Sequence, residues 1–460
     1  MSKTYLKSDH FNGGGSHQST VGGNDTLNGG SGNDILYGDA YSMDGTARGG
    51  DDHLNGGDGN DILYGDAYAM HNNAEGGNDQ FTGGNNTNSS PITEFFYGDA
   101  HDMYDNARGG NDTLTGGDNS GSGYVTNNLY GDANSMNDDA QGGNDILTGG
   151  SSYGGNASFE SENLMFGDAS QMEGNAKGGN DILTGGSSYG GSGNLQNLLL
   201  GDASLMEGNA QGGNDILIGG SSWGGGFLTN NLIGDATNLI VHAQGGDDIL
   251  VGGDCFVNRL YGDAILLSGN AKGGDDILTG GSSGAGGGWG GPVENYLYGD
   301  GQVMIDFTQG GDDILIGGDK GGSSIVTNTL VGDASESRIS DGQSDHTQGG
   351  NDRLISGINA TDHMWGDWQT GSGAGGSDTF VFKGAFGSDF VYDFAHAQGD
   401  LIEFQVGGVD SFDDLTIVQD GANTVITTSA SEADTVTLVN HDNTANPLTA
   451  SDFHFHDFII

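Results

Sequence analysis

"GGDDHLNGGDGNDILYGDAYAM", residues 49–70, sets five aspartates and six glycines among a thin scatter of apolar residues. Two short elements in it recur along most of the chain. The first, GG(N/D)D, is followed by x-Leu in ten of eleven copies, Phe81 being the exception, and places Asp25, Asp52, Asp79, Asp112, Asp145, Asp181, Asp215, Asp248, Asp276, Asp313 and Asp352. The second, GD, usually followed by Ala, places Asp39, Asp66, Asp99, Asp132, Asp168, Asp202, Asp235, Asp263, Asp300, Asp333 and Asp367. The two alternate without a break. From the Gly of GD to the next GG is eleven residues in nine of ten copies, and only Gly332 to Gly349 is longer. That segment reads as a rigid unit, with length variation confined mainly to the other side of each turn. Self-similarity at a fixed period is the signature of a stacked repeat.

The shortest turn spans 27 residues and divides into three nonapeptides. One of them, G-G-x-G-x-D-x-U-x with U a large apolar residue, stands unbroken at residues 29–37 and 56–64 and contributes Asp34 and Asp61. This is the Ca²⁺-binding nonapeptide of parallel β-rolls and β-helices. On these motifs the chain resembles the RTX family, the hemolysin-type calcium-binding repeat proteins, from about Val21 to the C-terminus. The resemblance implies an all-β fold: a parallel β-roll or β-helix solenoid of about eleven Ca²⁺-binding coils, 27 to 37 residues each, with a C-terminal β cap. It also implies that Gly-rich turns supply carbonyls, and the aspartates named above carboxylates, to Ca²⁺ held between coils. The pattern departs from the family from the third turn on. There the position of Asp34 and Asp61 becomes Glu94, then Asn127, Asn163, Asn197, Asn230, Asn258, Asn295 and Asn328, before Asp362 returns. Full Ca²⁺ sites are not expected on that edge in the middle coils, where an Asn ladder can hydrogen-bond along the stack instead.

Elementary electrostatics leads the same way. Parallel coils stack at about 4.8 Å, so one aspartate per coil makes a column of like charges that repel by roughly 3 kcal/mol per neighbour at an effective dielectric of 20. Such a column needs cations. Ca²⁺ accepts six to eight oxygen ligands in adaptable geometry, whereas Mg²⁺ wants a small octahedral shell and keeps its waters. The unfolded chain has no preformed site, so metal binding becomes folding free energy.

Composition sets the outer bounds. The chain has 460 residues, 93 of them Gly, with 64 Asp plus Glu against 11 Lys plus Arg and a formal charge of -53. Nucleic acid is excluded as a partner, because phosphate binding needs a basic surface. The single Cys255 rules out an intramolecular disulfide and reads as a small apolar residue. No run of eighteen apolar residues suggests a membrane span, and residues 1–20 lack the apolar centre of a cleavable signal peptide. There is no H-E-x-x-H and no G-x-S-x-G, so the chain reads as a non-enzyme.

The interior is expected to hold Leu27, Leu54, Leu114, Leu147, Leu183, Leu217, Leu250, Leu278 and Leu315 on one strand and Leu129, Leu199, Leu232, Leu260, Leu297 and Leu330 on another. Ala and Met of GDAxxM, including Met43, Met70, Met103, Met136, Met172 and Met206, supply a third wall that plugs the coil. Insertions between the first two strands carry Tyr124, Tyr153, Tyr189, Trp223 and Trp289. They are read either as flexible loops or as an aromatic ridge suited to carbohydrate or another surface. An ice face would show an unbroken Thr ladder. Here Thr26 and Thr113 give way to Ile146, Ile182, Ile216, Ile249, Ile277 and Ile314.

Three segments follow: a tail at 1–20, the repeat solenoid at 21–370 and a C-terminal capping and secretion domain at 371–460. From about Gly371, runs such as DTFVF, DFVYDF and DTVTLV mark a compact β unit that covers the open last coil. This segment resembles the domain following the repeats in serralysin-type proteases, and the final DFII, residues 457–460, resembles a type I export signal. The alternating imidazoles of HFHD, residues 454–457, fit either an ordinary edge strand or a transition-metal site. The reading is a secreted Ca²⁺-binding structural or adhesive protein, extracellular or on the surface of a Gram-negative bacterium. Its partners would be calcium ions, the type I secretion machinery, further copies of itself or cell-surface polysaccharide. A carbohydrate- or ice-binding module is the rival.

Overall fold

A computed structural model describes residues 5–7, 21–153, 160–190, 194–223, 226–283, 291–322, 324–338 and 346–456. The chain forms two compact units, Met1–Ile249 and Leu250–Ile460, and each is a parallel β solenoid with three walls per coil. No α-helix occurs among the described residues, only the single 3-10 turns Phe412–Asp414 and Ala450–Asp452. No helix among them is therefore long and apolar enough to cross a membrane.

In the first unit a leucine wall follows each GG(N/D)D. It runs through Thr26–Asn28, His53–Asn55, Gln80–Thr82, Thr113–Thr115, Ile146–Thr148, Ile182–Thr184 and Ile216–Ile218, all parallel. Only the central residue of each triplet points inward, as strand alternation requires. Leu27, Leu54, Phe81, Leu114, Leu147, Leu183 and Leu217 thus stack in register and are buried.

An aromatic wall precedes each GD, from Ile35–Tyr37 and Ile62–Tyr64 to Leu228–Ile233. Its Tyr37, Tyr64, Tyr97, Tyr130 and Phe166 form a buried face-to-face stack with ring centroids 4.8 to 5.1 Å apart. A methionine wall follows each GD. There Met43, Met70, Met103, Met136, Met172, Met206 and Leu239 lie in register, all buried. Met therefore fills the coil interior, as the sequence suggests.

The second unit repeats the walls. Its leucine wall starts with Ile277–Thr279, Ile314–Ile316 and Arg353–Ile355 and continues in parallel through Thr379–Lys383, Leu401–Gln405 and Phe453–Phe455. Its aromatic wall runs from Val257–Tyr261 to Ser388–Val391 and Ser431–Leu438, to which Asn423–Thr428 and Leu415–Asp420 add antiparallel. Parallel stacking thus carries on past residue 370 and ends in an antiparallel meander.

Candidate calcium-binding seam

The eleven-residue spacing, kept in nine of ten copies, brings two corners of each coil together. At one corner the backbone N–H of an aspartate donates to Oδ1 of its counterpart one coil on. The donors Asp25, Asp52, Asp79, Asp112 and Asp145 all do so at 2.6 Å, and Asp276 and Asp313 at 2.7 and 2.8 Å. At the other corner each GD carboxylate accepts the N–H of the second Gly of its own GG. Asp39 takes Gly50, Asp132 takes Gly143, Asp235 takes Gly246, Asp263 takes Gly274 and Asp367 takes Gly376, at 2.7 to 2.9 Å. Asp66, Asp99, Asp168, Asp202, Asp300 and Asp333 are held likewise.

At the first corner these bonds use Oδ1 and leave Oδ2 over in eight of the aspartates. Oδ2 of Asp52, Asp79, Asp112, Asp145, Asp181 and Asp215, and of Asp313 and Asp352, is buried with no hydrogen-bond partner among the described residues. Its surroundings are more oxygen. A Cβ placed on Gly98 would lie 1.6 Å from the carbonyl oxygen of Gly131 and 2.1 Å from Oδ2 of Asp112, so those two acceptors are within about 3.7 Å of each other. The same cradle recurs at Gly38, Gly65, Gly131, Gly167, Gly201, Gly262, Gly299 and Gly332. On the opposing corner, a Cβ on Gly109 would meet Oδ1 of Asp132 at 1.7 Å and Oδ2 of Asp99 at 2.5 Å, so the GD carboxylates also crowd one another.

Acceptors facing acceptors at this range, without a proton between them, are satisfied by a cation. Burial pushes Asp52 up to about 7, and the carboxylates of Asp39 and Asp25 add to it. Burial likewise drives Asp79, Asp112, Asp145 and Asp215 well above the carboxylate range, with neighbouring aspartates of the seam adding to it. Hard carboxylate and carbonyl oxygens in this density fit Ca²⁺, which tolerates high and irregular coordination.

The second edge, between the leucine and aromatic walls, changes character along the chain. The Asp34 N–H donates to Asp61 Oδ1 at 2.8 Å, and Glu94 accepts from Gly84 at 2.6 Å and Gly117 at 3.3 Å. Burial raises Asp61 to about 6 and Glu94 to about 7. Beyond them stands the Asn ladder. Nδ2 of Asn127 donates to Oδ1 of Asn163, Asn163 to Asn197 and Asn197 to Asn230, each at 2.8 Å. Each amide also pairs with both backbone groups of a Gly: Asn163 donates to the Gly150 carbonyl at 3.0 Å and accepts its N–H at 2.9 Å. In the second unit Asn258, Asn295 and Asn328 continue the pattern to Asp362. The amide supplies donor and acceptor together, so the middle of this edge is satisfied without metal.

Within each unit the aspartates of the two repeating elements thus converge on a seam, while Asp34 and Asp61 of the first unit lie on the second edge. Reading the sequence alone stops the seam too early. The Asp352 N–H donates to Asp378 Oδ1 at 2.9 Å and the Asp378 N–H to Asp400 Oδ1 at 3.2 Å, while Asp393 accepts from both Gly366 and Asp367. The missed signal is GGSDTF at residues 375–380, which keeps the spacing of GGNDQF at 76–81. Of the loop aromatics, Tyr153 and Tyr189 stack at 5.1 Å, and Ser188–Tyr189 pairs in parallel with Ser222–Trp223. Trp289 and the terminal DFII lie outside the described residues.

The fold and seam define a calcium-binding β solenoid. Residues 20–40 and 46–67 match the sequence model of the RTX calcium-binding nonapeptide repeat. No curated protein matches the chain. The matched segments are the first coils, where the complete nonapeptides stand, and repeats of the matched kind bind Ca²⁺ at multiple sites.

Proposed function

We propose that the chain is a non-catalytic structural or adhesive protein working outside the cell, as part of a surface layer, filament, matrix or cell contact. Ca²⁺ sets its rigidity. The observation that carries this reading is the run of buried Oδ2 atoms, from Asp52 to Asp215 in the first unit and at Asp313 and Asp352 in the second, that face Gly carbonyls with no hydrogen-bond partner among the described residues. Extracellular calcium modules work at about 10⁻⁴ to 10⁻³ M, so a fold held by such a seam assembles where calcium is millimolar. Ligands would be the 24 aspartates named at the start, joined by Asp378, Asp393 and Asp400. Export in one step by a Gram-negative type I machinery, with 371–460 as cap and export segment, accords with the repeats.

The rival, a glycan-binding ridge, has less support. Sugars stack on open ring faces. Tyr153 and Tyr189 lie nearly parallel, at 8°, so each covers one face of the other and takes it from a sugar. An ice face fares no better, because Ile146, Ile182 and Ile249 stand exposed where a Thr ladder would be needed. Electron microscopy of the Ca²⁺-loaded protein tests the assignment: ordered sheets, filaments or bundled particles are expected. Dispersed monomers retained on a glycan resin would overturn it in favour of the binding module.

A further inference from the structure

The end of the leucine wall in the second unit carries a cluster of different chemistry from the seam. Phe453–Phe455 is the last strand of this wall and pairs in parallel with Leu401–Gln405, setting His454 against Glu403 and Phe455 against Phe404. Alternation along the strand sends Phe453 into the core and leaves His454 exposed, and His456 also stands exposed on this edge. One ligand atom each from Glu403, His454 and His456 lie within 4.8 Å of one another, and His456 Nε2 is 4.0 Å from Glu403 Oε1.

The Glu403 side chain is only 5% exposed and is oriented before any ligand arrives: Oε1 accepts from Arg353 Nη2 at 2.9 Å and from Gln405 Nε2 at 2.7 Å. A carboxylate offers about four lone-pair positions over its two oxygens, so these bonds leave ligating capacity. They are the outer-shell contacts that fix a ligating carboxylate. Two imidazoles and one carboxylate, open to solvent on one side, form the three-ligand set of a tetrahedral site with a water in the fourth position. Bonds of about 2.0 to 2.2 Å would set ligand atoms about 3.4 Å apart. Closing from 4.8 Å therefore needs side-chain rotation of the order of 1 Å, which His456, 59% exposed, is free to make.

We propose that Glu403, His454 and His456 bind one divalent transition metal of the Zn²⁺ class, separately from the calcium seam, and clasp the edge strand to its neighbour. Imidazole ligands select this class over Ca²⁺, which prefers oxygen alone. The clasp ties down the strand at the end of its sheet, which has a paired neighbour on one side only.

The test uses the full chain in excess Ca²⁺, so that the seam is filled, and titrates Co²⁺ while reading its visible absorption. One equivalent should give an intense tetrahedral-type band that Zn²⁺ abolishes. H454A and H456A, both at exposed positions, should weaken binding at least tenfold while the far-ultraviolet circular dichroism stays that of the parent. E403Q should weaken it too, with the dichroism again controlling for folding. Absence of the band in the parent, or a band unchanged in H454A/H456A, would overturn the site. Neither result bears on the calcium reading, which the circular dichroism reports independently.

Discussion

At Gly98 the backbone is held so close to its neighbours that the side chain must be hydrogen. A methyl group there would overlap the Gly131 carbonyl at 1.6 Å and Asp112 Oδ2 at 2.1 Å, neither of which can retreat without breaking the stack. Gly98→Ala should therefore cost about 3 kcal/mol and weaken Ca²⁺ binding as well, read as a lower melting temperature of the Ca²⁺-loaded protein. The opposite case is Val241. In the first unit the left-handed corner after the methionine wall is taken by Gly45, Asn72, Asp105, Asp138, Gly174, Gly208 and Val241, the last at φ 72°. A β-branched residue is strained in this region, so Val241→Gly should raise stability by about 1 kcal/mol. A melting temperature left unchanged or lowered would contradict it. Protonation works at the same scale. Asp52, Glu94 and Asp393 are each raised to about 7, so without metal their protonated forms favour the folded chain. That stability is fully present below about pH 4, the ordinary carboxylate range, and is lost as pH rises through about 7. In chelator, acidification from pH 8 to pH 4 should restore part of the β signal in circular dichroism, and no gain would remove burial of these carboxylates as the cause.

At the scale of elements, two devices hold one coil on the next: oxygen cages that need a cation along the seam, and amide ladders that need none along the second edge. Asn197 shows what the ladder contributes, since it donates to Gly186 at 2.9 Å and to Asn230 at 2.8 Å while accepting from Asn163 and Gly186. Asn197→Asp preserves shape but turns the donor into an acceptor facing two acceptors. It should destabilise the Ca²⁺-loaded protein by about 3 kcal/mol, measured by denaturant unfolding, and a neutral result would mean the ladder adds no cohesion. The switch from Asp34 and Asp61 to the asparagines was legible in the sequence, as were both aspartate columns, because a residue type fixed to one place per coil must stack on itself. The extension through Asp378 and Asp400 was not. Its hydrogen-bonded partners are 26 and 22 residues apart, shorter than the shortest upstream turn, and the strands around it are aromatic enough to read as a separate β unit. Nor could sequence bring Glu403 beside His454, since about fifty residues separate them and only the parallel register of the last two strands joins them.

At the scale of the whole molecule, the formal charge of -53 poses a question of mechanism: whether calcium folds the chain by coordination or by screening. Screening acts through mobile ions over a Debye length of about 8 Å at physiological ionic strength, and mobile ions need access. The Oδ2 atoms of the seam are buried, and acceptor oxygens there crowd within about 3.7 Å of each other, where only a dehydrated, directly ligated cation can enter. Na⁺ carries half the charge of Ca²⁺. Mg²⁺ keeps its waters and demands an octahedron of about 2.0 to 2.1 Å, which a seam built from fixed backbone carbonyls cannot reshape itself to supply. Starting from chelated protein at neutral pH, circular dichroism titrations with CaCl₂, MgCl₂ and NaCl should therefore separate. Millimolar CaCl₂ should produce a steep, cooperative gain of β signal, because each coil completes a cage for the next. Equimolar MgCl₂, and NaCl at matched ionic strength, should leave the chain largely unfolded. Equal responses to all three salts would assign folding to relief of charge repulsion and remove coordination from the account of the seam.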